Sequence, residues 1–129
     1  ARVMRRVVAS FDPAAELRAA LGRYLGARPE PMAGAVAELE VAVAGYGFQT
    51  SLPDEACSFL DVRTTLRIGD GTPIEDRVLL GWGSAGADLP PAYCTTLKRF
   101  LEQDGRLARQ TLMESTEIAA AVIARRLKG

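Results

Sequence analysis

From Leu60 to Ile68, apolar and polar residues alternate without interruption. Leu60, Val62, Thr64, Leu66 and Ile68 share one parity, while Asp61, Arg63, Thr65 and Arg67 share the other. A period of two is the mark of a half-buried strand, because successive side chains of a pleated backbone point to opposite faces. Gly69-Asp70-Gly71-Thr72 follows, residues that accept positive φ, and Ile74, Val78, Leu80 and Trp82 resume a single face beyond it. The pattern predicts an antiparallel hairpin centred on Asp70-Gly71. Asp76 interrupts the apolar face of the second strand, close enough to the turn to reach water. Upstream, Leu39, Val41 and Val43 alternate with Glu38, Glu40 and Ala42, which predicts a further strand ending at Gly45-Tyr46-Gly47-Phe48. A loop through Pro53 and Asp54 is expected to connect the two.

Elsewhere the period lengthens. Asp12-Pro13 pairs an N-cap side chain with proline at the first helical position, where a missing N–H is harmless. Leu17, Leu21, Tyr24 and Leu25 then recur at three- and four-residue steps, and Gly26 supplies a left-handed stop, so a helix is expected over about Pro13 to Leu25. Residues 27–34 and 84–91 read as loops from their Gly and Pro content. A short helix is expected from Cys94 to Gln103, followed by a final helix capped by Asp104. In that last helix Leu107, Ala108, Leu112, Ser115, Ile118, Ala119, Val122 and Ile123 occupy one arc, and Arg125, Arg126 and Lys128 suit the negative end of its dipole. Arg2 to Ser10, β-branched and loosely alternating, reads as an opening strand.

These elements predict one α+β domain spanning residues 1–129. It is a two-layer sandwich in the order β-α-β-β-β-α, with two main helices on one face of a four-stranded sheet. The expected core is Leu17, Leu21, Leu39, Val41, Val43, Val62, Leu66, Val78, Leu80, Leu112, Ile118 and Val122. The other sheet face falls to Glu38, Glu40, Asp61, Arg63, Thr65, Arg67, Glu75 and Arg77. Cross-strand pairing of such charges is worth roughly 0.2–1 kcal/mol each, and the face is expected to be solvated, the alternative being a partner-binding face.

Composition narrows the chemistry. Sixteen Lys and Arg balance sixteen Asp and Glu, so no long-range field gathers nucleic acid or an anionic membrane. The absence of His removes the usual general base, the Ser-His and Cys-His pairings and the commonest zinc ligand. No apolar run approaches the ~20 residues that span a bilayer, and a soluble chain is expected. The sequence starts at Ala1 without a charged-then-apolar leader, as a trimmed or a processed chain would. Cys57 and Cys94 are its two cysteines, either free buried thiols or one disulfide.

Gly81-Trp82-Gly83-Ser84-Ala85-Gly86 matches a dinucleotide fingerprint in letters. That fingerprint requires a helix opening onto the pyrophosphate, whereas Asp88-Leu89-Pro90-Pro91 follows here, so a strand exit is expected. With Lys98 and Lys128 the chain's two lysines, a lysine-centred phosphate site is not expected. The carboxylate pairs Asp54-Glu55, Glu75-Asp76 and Glu114 with Glu117 do not look catalytic: the first lies in a loop, the second straddles a strand, and the third lies on the solvent side of a helix. No catalytic residue, cofactor or metal is expected. Tyr46, Phe48 and Trp82 fall near strand ends, where they would serve either as interaction anchors or as a lid over the core edge.

The order of elements, the opening strand followed by Asp12 to Leu25, the strand from Leu39 to Val43 running into Tyr46-Gly47, the hairpin from Asp61 to Trp82 around Asp70-Gly71 and the closing helix from Glu102-Gln103-Asp104 to Leu127 resemble a family. It is the small bacterial envelope lipoproteins, including the lipopolysaccharide-assembly lipoprotein and the auxiliary lipoproteins of ABC transporters. The resemblance implies a periplasmic, outer-membrane-associated accessory subunit that binds a protein or lipid component of an envelope transport or assembly system, without catalysis and without nucleic acid. Such proteins hold the membrane through a lipidated N-terminal Cys. Cys57 and Cys94 are internal and cannot serve as that anchor. In an envelope protein they are expected to form a disulfide. The alternative is a cytoplasmic two-layer α/β module with a regulatory or small-ligand-binding role.

Overall fold

The computed structural model describes residues 2–26, 37–81 and 89–128. The elements are α1 (Arg2–Ser10), α2 (Pro13–Leu25), β1 (Ala37–Leu52), β2 (Glu55–Ile68), β3 (Ile74–Leu80), β4 (Cys94–Thr96) and α3 (Leu97–Lys128). The fold is α+β. β2 lies between β1 and β3, all antiparallel, and β4 pairs with the start of β2 on the same side as β3. The hairpin is where the alternation puts it: Val62 faces Val78, Leu66 faces Ile74, and the Gly71 N–H donates to the Ile68 carbonyl at 3.0 Å. Helix α2 keeps its expected ends, with Asp12 Oδ1 accepting from the Ala15 N–H at 3.1 Å and Gly26 left-handed at φ 65°.

Three elements differ from the sequence reading. Arg2–Ser10 is a helix, not a strand. Val3, Met4, Val7 and Val8 fall on one arc at three- and four-residue steps, leaving Arg2, Arg5 and Arg6 exposed. Packing of that arc against α3 outweighs a β preference worth only tenths of a kcal/mol per residue. Cys94–Thr96 is a strand because it pairs with Glu55–Cys57, and the helix begins only at Leu97. Thr96 caps it, its hydroxyl accepting from the Arg99 N–H at 3.2 Å. β1 does not end at Gly45-Tyr46 but runs on to Leu52, with the two-residue turn Pro53-Asp54 closing onto Glu55. The register shifts between Val43 and Gly45, so Ala44 is an extra residue in β1. This bulge reverses the parity: Leu39, Val41 and Val43 face the helices before it, and Tyr46 and Phe48 after it.

The helices cover one face of the sheet. Leu17, Ala20 and Leu21 of α2 meet Leu60, Val62, Val78 and Leu80 of the sheet and Ala119, Ala120 and Ile123 of α3. A second cluster joins Val7 of α1, Ala56 of β2 and Phe100, Ala108 and Leu112 of α3, with Tyr46 and Phe48 at its margin. Of the expected core, Leu39, Val41, Val43, Leu66 and Val122 are only half-buried, and Ile118 is exposed. The buried arc of α3 is rotated away from Ile118 because the helix faces both the sheet and α2. Thr111, Ser115, Thr116 and Ala120 are buried instead, with the Ser115 hydroxyl donating to the Thr111 carbonyl at 3.0 Å.

α3 is two helices joined by an elbow: Glu102, Gln103, Asp104 and Gly105 are non-helical, so a short helix does end about Gln103 and a longer one follows, as the sequence pattern predicts. Gln103, Asp104 and Gly105 have φ of 52°, 57° and 82°, and Val3 and Val7 of α1 pack against Gly105. Asp104 therefore does not act as the expected simple cap; its carboxylate pairs with Arg6 and Arg109, while Arg109 also donates to its carbonyl at 2.7 Å.

Val62 is fully buried between two sheet neighbours and the helices. Val62→Ala is expected to cost at least about 1 kcal/mol in denaturant unfolding, through lost burial and the cavity left behind.

Candidate functional site

The face of the sheet turned away from the helices carries two different surfaces. Toward the β2–β3 turn it is ionic. Arg63 and Arg77 stand directly opposite each other, a like-charge pairing that disfavours the sheet. Asp61, diagonal to Arg77, relieves it: Arg77 Nε and Nη2 donate to Asp61 Oδ1 and Oδ2, both at 2.9 Å. Glu40 approaches Arg67 at 3.7 Å. Asp76, on the helix side, is paired with Arg126 of α3 at 3.1 Å. Glu75 and Asp76 thus do point to opposite faces, as their spacing requires.

The Arg77 hydrogen bonds hold the Asp61 carboxyl below its ordinary value of 3.8, against partial desolvation and with further help from the charges of Arg77 and Arg63. A carboxyl with a depressed folded pKa contributes stability at pH above its unfolded value. That contribution disappears as pH falls from about 3.8 through the lower folded value. Stability is therefore expected to fall in this acid window, and Arg77→Met is expected to flatten the fall, as read from urea midpoints at successive pH values.

Toward the β1–β2 turn the same face becomes apolar and sulfur-rich. Phe59 stands opposite Gly47 and diagonal to Gly45, two pairs along. Its ring would lie 3.5 Å from a Cβ at Gly45 and 3.4 Å from one at Gly47, so the glycines provide the floor on which it lies. Gly47 also has φ of 140°, a region L side chains rarely adopt. Two residues along β2, Cys57 lies between Gln49 of β1 and Cys94 of β4, and a disulfide joins Cys57 to Cys94. Glu55, two residues further on the same face, holds Oε1 at 3.7 Å from Cys57 Sγ. Glu55, Cys57 and Cys94 each offer a ligand atom within 4.8 Å of the others.

The sequence pattern marks the two cysteines, but it leaves Glu55 in a loop and gives Phe59 no signal of its own. The usable signal was Pro53-Asp54: read as a two-residue turn, it puts Glu55, Cys57 and Phe59 at alternate positions of one strand. Tyr46 and Phe48 lie on the helix side. The Tyr46 hydroxyl is 2.6 Å from the Val8 carbonyl and 3.1 Å from that of Phe11, where it can donate to one of the carbonyls left over at the end of α1. Phe48 packs on Phe100, ring centroids 4.8 Å apart. Both rings are half-buried. Tyr46→Phe is expected to cost roughly 1 kcal/mol of unfolding free energy by losing that hydrogen bond while keeping the ring. Trp82 lies outside the described residues, as do most of the glycine-rich motif and the residue 27–34 loop.

No family model, curated protein or solved structure matches the chain. Among the described residues, no helix is long and apolar enough to cross a membrane.

Proposed function

We propose that this chain is a non-catalytic accessory module of the bacterial cell envelope. It would work in the periplasm, associated with the outer membrane, and bind a protein or lipid component of a transport or assembly system. The observation that carries this reading is the Cys57–Cys94 disulfide. Such bonds persist in oxidising compartments and are rare where glutathione and thioredoxin keep thiols reduced. The part of the resemblance to envelope lipoproteins that lies in β1, the β2–β3 hairpin and the closing helix points the same way, whereas the opening element is a helix and lends it nothing.

Recognition would use the long edge strand. Among the described residues, β1 is hydrogen-bonded along one side, to β2. Its first half, Ala37 to Val43, precedes the bulge and carries neither Pro nor Lys, which most strongly blunt strand edges, only the charges of Glu38 and Glu40. An extended segment of a partner could add to it through backbone hydrogen bonds. Tyr46 and Phe48 would support this edge from beneath, by packing.

The test is fractionation of native cells with thiol alkylation before any reductant is added. The expected result is chain in the envelope fraction with both cysteines unreactive until reduced. Cytoplasmic chain with two alkylated cysteines would overturn the reading in favour of the cytoplasmic module. For the edge, Ala42→Lys is expected to weaken partner capture without loss of fold, since Ala42 is exposed.

A further inference from the structure

The outer face of the sheet gathers metal-ligating side chains around the disulfide. Glu55 and Cys57 are alternate residues of β2, and Cys94 is directly opposite Cys57 on β4. Alternate residues of one strand and a cross-strand neighbour leave the same face and form a triangle above the pleat. Tetrahedral zinc, with bonds of about 2.3 Å to sulfur and about 2.0–2.2 Å to carboxylate oxygen, has a sulfur–oxygen edge of roughly 3.5 Å and a sulfur–sulfur edge of roughly 3.8 Å. Glu55 Oε1 already stands 3.7 Å from Cys57 Sγ. The two sulfurs can reach their edge only after the bond between them is broken. Cys57 is 1 % exposed, whereas Glu55 and Cys94 are half-buried, which leaves the solvent side open for entry and for a fourth ligand.

We propose that Glu55, Cys57 and Cys94 form a redox-gated site for a thiophilic divalent cation of the zinc class. The site is closed while the disulfide is intact and opens when a dithiol reductant cleaves it. The dithiol gives two electrons and two protons to the disulfide and itself becomes a disulfide, leaving two protein thiols. The cation then displaces two protons, which pass to solvent, and binds two thiolates, the Glu55 carboxylate and one water. The inference stands apart from the envelope reading, since it requires a dithiol reductant and not a particular compartment.

The test uses the full chain, reduced with a phosphine that does not compete for metal, and titrated with cadmium without oxygen. The expected result is a sulfur-to-cadmium absorption band that saturates at one ion per chain. The band should be absent from the oxidised chain, and the affinity at least tenfold weaker in Glu55→Gln. Equal affinity in Glu55→Gln would overturn the three-ligand site while leaving the compartment reading untouched. Absence of the band from a reduced chain with native circular dichroism would overturn the proposal outright. If reduction removes the native signal, cadmium is expected to restore it; failure to do so would overturn the proposal as well.

Discussion

Replacing both cysteines with serine is expected to lower the unfolding free energy by about 4 kcal/mol. Cys57 and Cys94 are separated by 37 residues, and closing a loop of that size removes roughly 4 kcal/mol of chain entropy from the unfolded state in the chain-entropy model. Domains of this kind are stable by only about 5–15 kcal/mol, so the loss is a large share of the total. The native state depends on the bond as well. β4 has three residues, the short end of the range for a strand, so the bond reinforces a brief run of backbone pairing. Directly after it, α3 carries Phe100, fully buried in the second core cluster. Release of β4 therefore loosens the anchor of that helix. Guanidinium unfolding of the oxidised wild type against the double variant measures the effect. A double alanine variant controls for a buried serine hydroxyl at position 57. A difference under about 1 kcal/mol in both variants would show that the bond is structurally idle.

What could be read from the letters follows from which forces are local. β2, β3 and α2 were legible because each carries its own signal: a strict period of two, a glycine turn, a capping aspartate and a left-handed stop. β1 was legible only to Val43. Beyond it the Ala44 bulge places Val43 and Tyr46, three residues apart, on the same face, and a reading by strict alternation breaks there. α1 reads as a strand in the letters because its β-branched residues are locally compatible with one, and what makes it a helix is packing on α3, with Val3 and Val7 against Gly105 far along the chain. β4 was hidden for the same reason, since three residues acquire strand geometry only from pairing with β2. At the candidate site, the cysteine pair was visible as one of two options. Glu55 and Phe59 were not, because their neighbours depend on a two-residue turn, and Pro53-Asp54 fits a longer loop equally well. Ile118 differs for another reason: a single helical arc does not describe α3, which packs on α1, α2 and the sheet, and Thr and Ser take buried positions along it.

Gly105→Ala is expected to destabilise the domain by about 3 kcal/mol, for two reasons that can be separated. The backbone at Gly105 has φ of 82°, and an L side chain in left-handed geometry costs roughly 1–2 kcal/mol. The turn already holds Gln103 and Asp104 at positive φ, so it has little freedom left to relax. The second reason is steric. A Cβ at this position would stand 2.5 Å from Val7 Cγ2 and 3.3 Å from Val3 Cγ1, well inside contact distance, and overpacking of this kind typically costs about 1–3 kcal/mol. Relief requires α1 to move away, which uncovers Val7, fully buried in the wild type. The Arg6–Asp104 pair does not hold α1 against that movement, because both side chains are largely exposed and such pairs contribute little. The clash and the backbone cost are distinguished in a Val7→Ala background, where Cγ2 is gone. There the additional effect of Gly105→Ala is expected to shrink to about 1 kcal/mol, while amide exchange in α1 should rise in the single Gly105→Ala variant more than in α2. An equal penalty in both backgrounds would assign the whole effect to the left-handed backbone and remove α1 packing as the reason for glycine at the elbow.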